Sequence, residues 1–344
     1  MRQLLNTLFI TTQGAYLRLE GETVCVEIEK IKKLQVPLHH LGSIAVFGDV
    51  MLTPALLRRC ARDGRSVVLL DRNGTFGARL EGPVSGNILL RQAQYRSAQE
   101  SIATLTVARA CVAGKIRNSR QVLVRGAREA KIETDAHTLR QAARLLAGHL
   151  HKLPLAEDLD TVRGLEGDAA RVYFGAVTAL MRLDQREYFS FAQRSRRPPR
   201  DAFNALISFL YTLLTHDCRS ALEGVGLDPQ LGFLHVVRPG RPALALDLVE
   251  EFRAAIADRL ALTLINRGQL NAKHFAPRSG GAVYLNDEGR KTVLTAYQQR
   301  KQEEVTHALL EQSTPIGLLP HVQARLLARF LRGDMDAYVP FLTR

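Results

Sequence analysis

Apolar and polar residues alternate through the first eighty positions. "LFITTQGAYLRLEGETVCVEI" divides at Gly14 and at Gly21-Glu22 into three runs of period two, which predict a meander of half-buried strands. "SIAVFGD" predicts another strand. In "TPALLRRCARDG" the period becomes helical, with Thr53 placed as the cap, Pro54 at the first helical position and Gly64 at the end. An apolar strand, "SVVLLD", follows, and Asn73-Gly74 is a turn into "TFGARL". After the Gly- and Pro-punctuated stretch Glu81 to Asn87, "EGPVSGN", helical periods take over. They run through Leu89 to Gly114, Asp135 to His151, Thr161 to Leu183, Asp201 to Leu222, Pro242 to Asn266 and His321 to Leu331, interrupted by "GGAVYLNDEGR", a candidate short hairpin. The pattern predicts an α+β protein. A small, mostly β domain occupies 1–83, a linker 84–95, and a larger all-α domain that carries the chemistry 96–344.

Glu166, in "GLEGDAARVYF", interrupts this order. At ~100° per residue Leu165, Ala169, Val172, Tyr173, Ala176, Val177 and Leu180 form the apolar stripe of its helix, and Glu166 falls within it. A carboxylate there must be protonated, paired or bound to a cation. An Arg partner, or a stripe edge that reaches water, meets that need as well as a metal does.

Three further features bear on that cation. Asp247, Glu250 and Glu251 lie within one helical turn of "RPALALDLVEEFRAAIADRL" and, with Asp258, collect opposite Val249, Phe252, Ile256 and Leu260. Such a face is ordinarily solvated, yet it suits a hard cation if another ligand approaches. His235, in the apolar run "GFLHVVRPGRP", lies 15 residues before Glu250. It is either a structural histidine or that ligand, and one imidazole with two carboxylates suits Mn²⁺ or Mg²⁺ at a phosphodiester. Asn204, Ser208, Tyr211 and Thr215 make a narrow polar stripe on an otherwise apolar helix, bonding either neighbouring helices or the residues of a site.

Composition narrows the partners. The 344 residues, 46% apolar and 24% charged, can build a sizeable core, and 47 Lys plus Arg against 34 Asp plus Glu give a net charge of +13. That field attracts polyanions, nucleic acid first, although a merely basic enzyme or a membrane-surface protein would share it. Basic runs occur at "RRCARDGR", at "KIRNSRQVLVRGAREAK" and most densely at "QRSRRPPRD". In the last, Arg194, Arg196, Arg197 and Arg200 are candidates for holding a DNA backbone without reading its sequence. Four scattered cysteines form no zinc or disulfide spacing and suit buried thiols in a reducing compartment. With no signal peptide or spanning segment in the pattern, a cytoplasmic protein is expected. Phosphate-binding, dinucleotide, zinc-protease and serine-hydrolase motifs do not occur.

Taken in order, "SIAVFGDVMLTPALLRRCARDGRSVVLLDRNGTF", "GLEGDAARVYF", "RPPRDAFNALISFLYTLL", "GLDPQLGFLH", "LALDLVEEFR" and "VQARLLARFLRGDMDAYVPF" resemble the CRISPR-associated integrase and endonuclease family, Cas1. The resemblance covers nearly the whole chain. It implies that Glu166, His235 and Glu250 are the catalytic, metal-binding residues, with Mg²⁺ or Mn²⁺ as cofactor. The resemblance gives Asp247 a supporting role, and the polar stripe residues Asn204, Ser208 and Tyr211, with Tyr173 on the Glu166 helix, are expected in support beside it. It further implies a homodimer formed through the β domain, a ferredoxin-like companion, Cas2, and DNA substrates comprising a captured fragment and the CRISPR repeat. The expected chemistry is strand transfer, a 3′-hydroxyl attacking a repeat phosphodiester. Length and N-terminal wording suggest the I-C branch. Two other readings share these residues: a stand-alone metal-dependent nuclease of repair, and a DNA-binding scaffold whose acidic face is only solvated.

Overall fold

Two four-stranded sheets at the N-terminus divide the expected meander between them. The computed structural model describes residues 6–72, 74, 76–80, 82 and 88–343. In one sheet β2 (Tyr16–Glu20), β3 (Thr23–Ile28) and β4 (Ile31–Pro37) form an antiparallel meander, with β6 (Met51–Leu52) parallel to β2. The first alternating run, β1 (Asn6–Ile10), does not join it. It pairs in parallel with β5 (Leu41–Phe47), which pairs in parallel with β7 (Ser66–Leu70), and β8 (Phe76–Leu80) closes that sheet antiparallel.

The cause lies in β5 and β7, whose continuous apolar character suits parallel strands covered on both faces. Ile44, Val46 and Val67 enter a small core with Leu17, Val24 and Leu56, the last from α1 (Pro54–Arg62). Ala45, Phe47, Val68 and Leu70 face the other way, into the main core of the helical region. Thr53 caps α1 as expected, accepting from the Leu56 N–H. Asn73 and most of the 81–87 stretch lie outside the described residues.

The helical period expected from Leu89 opens one residue before it, at Ile88, inside the expected linker. Residues 88–95, read as linker, belong to α2 (Ile88–Gln99), because buried Gln94 bonds the Asp228 N–H and the Asp228 and Leu231 carbonyls and so docks the segment. The next helix, α3 (Ser101–Glu129), runs on through Gly114 and carries the second basic run. Gly114 is required there, since a Cβ would lie 2.8 Å from Pro340 of the C-terminal tail. With α4 (Glu133–Lys152) and α5 (Leu159–Ala176), α3 encloses a second core around Val112, Ile116, Leu139, Leu146 and Val162.

After the single-turn α6 (Leu183–Arg186), α7 (Ala202–Val225) crosses the main core, with Phe209 5.9 Å from the Phe47 ring across the domain boundary. The helix expected over Pro242 to Asn266 is not uniform. It consists of α8 (Ala243–Glu250), a wide π-helical stretch (Arg253–Asp258) and α9 (Arg259–Asn266). The hairpin of β9 (Phe275–Arg278) and β10 (Ala282–Leu285) starts before the excursion expected to hold it. The acidic end of that excursion instead opens α10 (Asp287–Gln302), where the Asn286 side chain caps the Gly289 N–H. A small ladder, β11 (Glu304–Thr306) with β12 (Ser313–Pro315), leads to α11 (Leu319–Leu331). All four cysteines are buried free thiols, and no described helix is long and apolar enough to cross a membrane.

Candidate active site

The wide π-helical stretch sits where α3, α5, α7 and α8 meet, and such stretches commonly mark functional sites. It also overturns the helical wheel drawn for the acidic cluster. Asp247, Glu250, Glu251 and Asp258 are all buried, not a solvated face, and each has different partners.

Asp247 lies beneath the loop that carries His235. One carboxylate oxygen accepts the Phe233 and Leu234 N–H groups at 2.6 and 3.0 Å; the other accepts the His235 N–H at 2.9 Å and the imidazole Nδ1 at 2.7 Å. Because the carboxylate only accepts, Nδ1 carries a proton and donates it, leaving Nε2 as the ring nitrogen turned away from Asp247. Gly232 makes this approach possible: a Cβ would lie 2.7 Å from the nearer Asp247 oxygen and 2.7 Å from the Ala243 carbonyl carbon. Arg163, on α5, donates to the Leu234 carbonyl at 2.9 Å and ties the same loop to the helix that bears Glu166.

His235 Nε2 points toward Glu250, 3.8 Å from its Oε1. Arg253 holds that oxygen at 3.0 Å, and the Arg253 guanidinium lies over the Tyr211 ring, 4.7 Å from its centre. The other oxygen, Oε2, is 2.8 Å from Lys115 Nζ, which also contacts the Glu166 carboxylate. Burial alone would push the Glu250 carboxyl up, but the Arg253 and Lys115 charges outweigh it and hold the group well below the usual carboxylate range.

Glu166 occupies the stripe edge, 27% exposed, and the cation that pairs with it is Lys115 rather than an arginine. Among the described residues no three His, Cys, Asp or Glu side chains are gathered tightly enough to hold a metal ion as they stand. In the sequence Lys115 stands only as the first residue of a basic run. Yet it follows Cys111 and Val112 at helical spacing and faces the core, the same conflict that singled out Glu166.

The expected supporting residues divide. Tyr211 donates to Asp258 at 2.6 Å, and burial raises the Asp258 carboxyl to about 6. The Tyr173 hydroxyl is buried close by without a well-formed hydrogen bond. Asn204 organises the loop before α7 instead of a site: its carbonyl accepts from Arg194 at 2.6 Å and from the Ser195 N–H at 3.0 Å, and its amide donates to the Gln193 carbonyl and to Asp201. Ser208 accepts from Arg194, and Thr215 returns its hydroxyl to the Tyr211 carbonyl within the helix. Arg194 is therefore committed internally, and burial lowers its guanidinium to about 10. Arg196, Arg197 and Arg200 are exposed to differing degrees along the loop. A cavity of about 400 Å³ opens beside Glu166 and Lys115, with Ser119, Arg194, Arg196 and Tyr211 in its wall.

Glu251 faces away from this cavity, toward the C-terminal tail. It accepts from the Tyr338 hydroxyl at 2.5 Å, the Gln323 amide at 2.9 Å and the Phe341 N–H at 2.7 Å, and burial pushes its carboxyl up to about 7. Asn118, on the helix of Lys115, bonds both the Glu251 and the Phe341 carbonyls at 2.8 Å. The tail thus locks α3 to α8, the two elements that present Lys115 and Glu250.

Comparison with known proteins gives the family and the fold. Residues 8–299 match the family model described as CRISPR associated protein Cas1. A CRISPR-associated endonuclease Cas1 of Moorella thermoacetica is 56% identical over the full length of both chains. A CAS1 protein from Thermotoga maritima superposes with a TM-score of 0.82 at 27% identity, covering 97% of this chain and 99% of that one. A casposase bound to integration product shares the fold, with a TM-score of 0.83 at 22% identity over 97% of this chain and 93% of that one. Sequence identity along the entire length and a common architecture together make this chain a member of the Cas1 family.

Proposed function

We propose that the protein is a divalent-metal-dependent DNA integrase and endonuclease of CRISPR adaptation, acting with DNA as substrate and with Cas2 and a second copy of itself as partners. One observation carries the reading: Glu166 and Glu250, from helices distant in sequence, share one cation, the Lys115 ammonium, and His235 Nε2 faces the other Glu250 oxygen at 3.8 Å.

The residues present suit a hard divalent ion. Two carboxylates and an imidazole are a donor set for Mn²⁺ or Mg²⁺, and the two carboxylates, Glu166 and Glu250, already share one cation, Lys115. When bound, held by Glu166, His235 and Glu250, the ion would activate an attacking hydroxyl and offset charge growing on the phosphorus centre.

Every other contribution comes from the chain. Asp247 keeps the His235 proton on Nδ1 and turns Nε2 toward the acids. Arg253 fixes Glu250 from behind. Arg196, Arg197 and Arg200 hold the DNA backbone beside the cavity through its phosphates, without base contacts. A 3′-hydroxyl attacking in line gives integration, and water at the same centre gives cleavage.

The test uses the full-length protein with Cas2, a prespacer and a supercoiled repeat plasmid. Joined DNA is expected from the wild type. Glu166→Ala, His235→Ala and Glu250→Ala should each abolish joining, by roughly 10²-fold or more, with DNA affinity within a few-fold of wild type. Cleavage without joining favours the repair-nuclease reading. Full activity in a folded Glu166→Ala protein favours the scaffold and ends the proposal.

A further inference from the structure

Lys115 is the one member of the acidic site that the proposed ligand set does not explain. Its side chain is only 10% exposed, and it enters from α3, which supplies none of the three ligands. Glu250 has a second counter-ion, Arg253, 3.0 Å from Oε1. Nζ lies 2.8 Å from Glu250 Oε2 and also contacts the Glu166 carboxylate, so one ammonium bridges the two acids.

We propose that Lys115 is a displaceable internal cation that holds the gap between Glu166 and Glu250 when no divalent ion is bound and is expelled when one enters. The inference rests on the metal reading above. An ammonium within reach of both carboxylates occupies the volume a divalent ion needs, and the two like charges at such spacing in a buried site repel strongly. One must leave. The lysine can, since its ammonium ends a flexible four-carbon stem, and the adjoining cavity of about 400 Å³ has Lys115 itself in its wall beside Ser119, Arg194 and Tyr211.

Two consequences follow from the exchange. Without an ion, Lys115 spares the protein two facing carboxylates, which would otherwise repel or take up protons. With an ion, the displaced ammonium turns into a cavity already lined by Arg194 and Arg196, where an anionic phosphate would be its natural partner. Ion loading and phosphate binding are then coupled through one side chain.

Direct Mn²⁺ titration of the full-length protein by calorimetry, at fixed pH and ionic strength, tests this without reference to catalysis. Lys115→Met should bind Mn²⁺ about tenfold tighter or more than wild type. It should also melt at a lower temperature without the ion and gain more from Mn²⁺. Equal or weaker Mn²⁺ binding by Lys115→Met, where the wild type binds, overturns the exchange and leaves the metal reading standing. Mn²⁺ binding by neither protein, or undiminished binding by a Glu166→Gln, Glu250→Gln double variant, overturns both. A second measurement needs no variant at Lys115: acylation of wild-type Lys115 by an amine-specific reagent, mapped by mass spectrometry, should rise several-fold on adding Mn²⁺. Unchanged or reduced labelling with Mn²⁺ bound sinks the proposal equally.

Discussion

The Asp247 carboxylate holds His235 twice through one oxygen, at 2.9 Å to its backbone N–H and 2.7 Å to Nδ1. Loop position and imidazole tautomer are thus set by the same atom. Asp247→Asn puts an amide N–H₂ where two donors now point, leaving buried N–H groups unpaired at about 1–3 kcal/mol each. The expected outcome is a loss of roughly 2–4 kcal/mol in urea unfolding, together with loss of strand transfer. Unchanged stability would show that the loop is held by other contacts.

Gly232 isolates the geometry from the charge. In Gly232→Ala the new methyl group would lie 2.7 Å from an Asp247 oxygen, so the His235 loop must lift from α8. Circular dichroism should show the helical content retained, while strand transfer falls about tenfold or more, as displacement of a catalytic group by about 1 Å can cost. Wild-type activity would mean that the loop position is not critical.

The arginine loop should separate into two kinds of residue. Arg196→Ala, Arg197→Ala and Arg200→Ala together are expected to weaken DNA binding and flatten its dependence on salt, by up to about 0.9 in log–log slope for each phosphate no longer neutralised, without lowering the melting temperature. Arg194→Ala is expected to do the reverse. It removes the guanidinium donor from Ser208 and from Asn204, which keeps only the Ser195 N–H, and should lower unfolding stability by about 1–2 kcal/mol, as measured in urea.

Glu251 predicts a pH dependence of stability. Its folded-state carboxyl is raised to about 7 by burial, against roughly 4.3 in an unfolded chain. The folded state therefore binds the proton more tightly. Its stabilising contribution is complete below the unfolded value and is lost as pH rises through the folded one. Between about pH 5 and 6.5 the slope approaches ~1.4 kcal/mol per pH unit, as for one proton released. Urea unfolding across this range should show that slope in the wild type relative to Glu251→Gln. Parallel profiles would contradict the raised value.

Local pattern was enough to establish the α+β architecture, the capped helix after Thr53, the apolar stripe of α5 and the anomaly of Glu166. These depend on periodicity and on chemistry within one element, and spacing encodes both. The order of motifs likewise brought Glu166, His235 and Glu250 into one hypothesis. Tertiary contact decided what the acids actually meet. No local rule shows that Lys115 enters from α3 between two carboxylates, that a π-helical stretch sends Glu251 and Asp258 to separate partners, or that Arg194 turns inward to Asn204. Each outcome depends on which faces of distant helices touch, and a buried charge takes its role from neighbours many residues away in the chain.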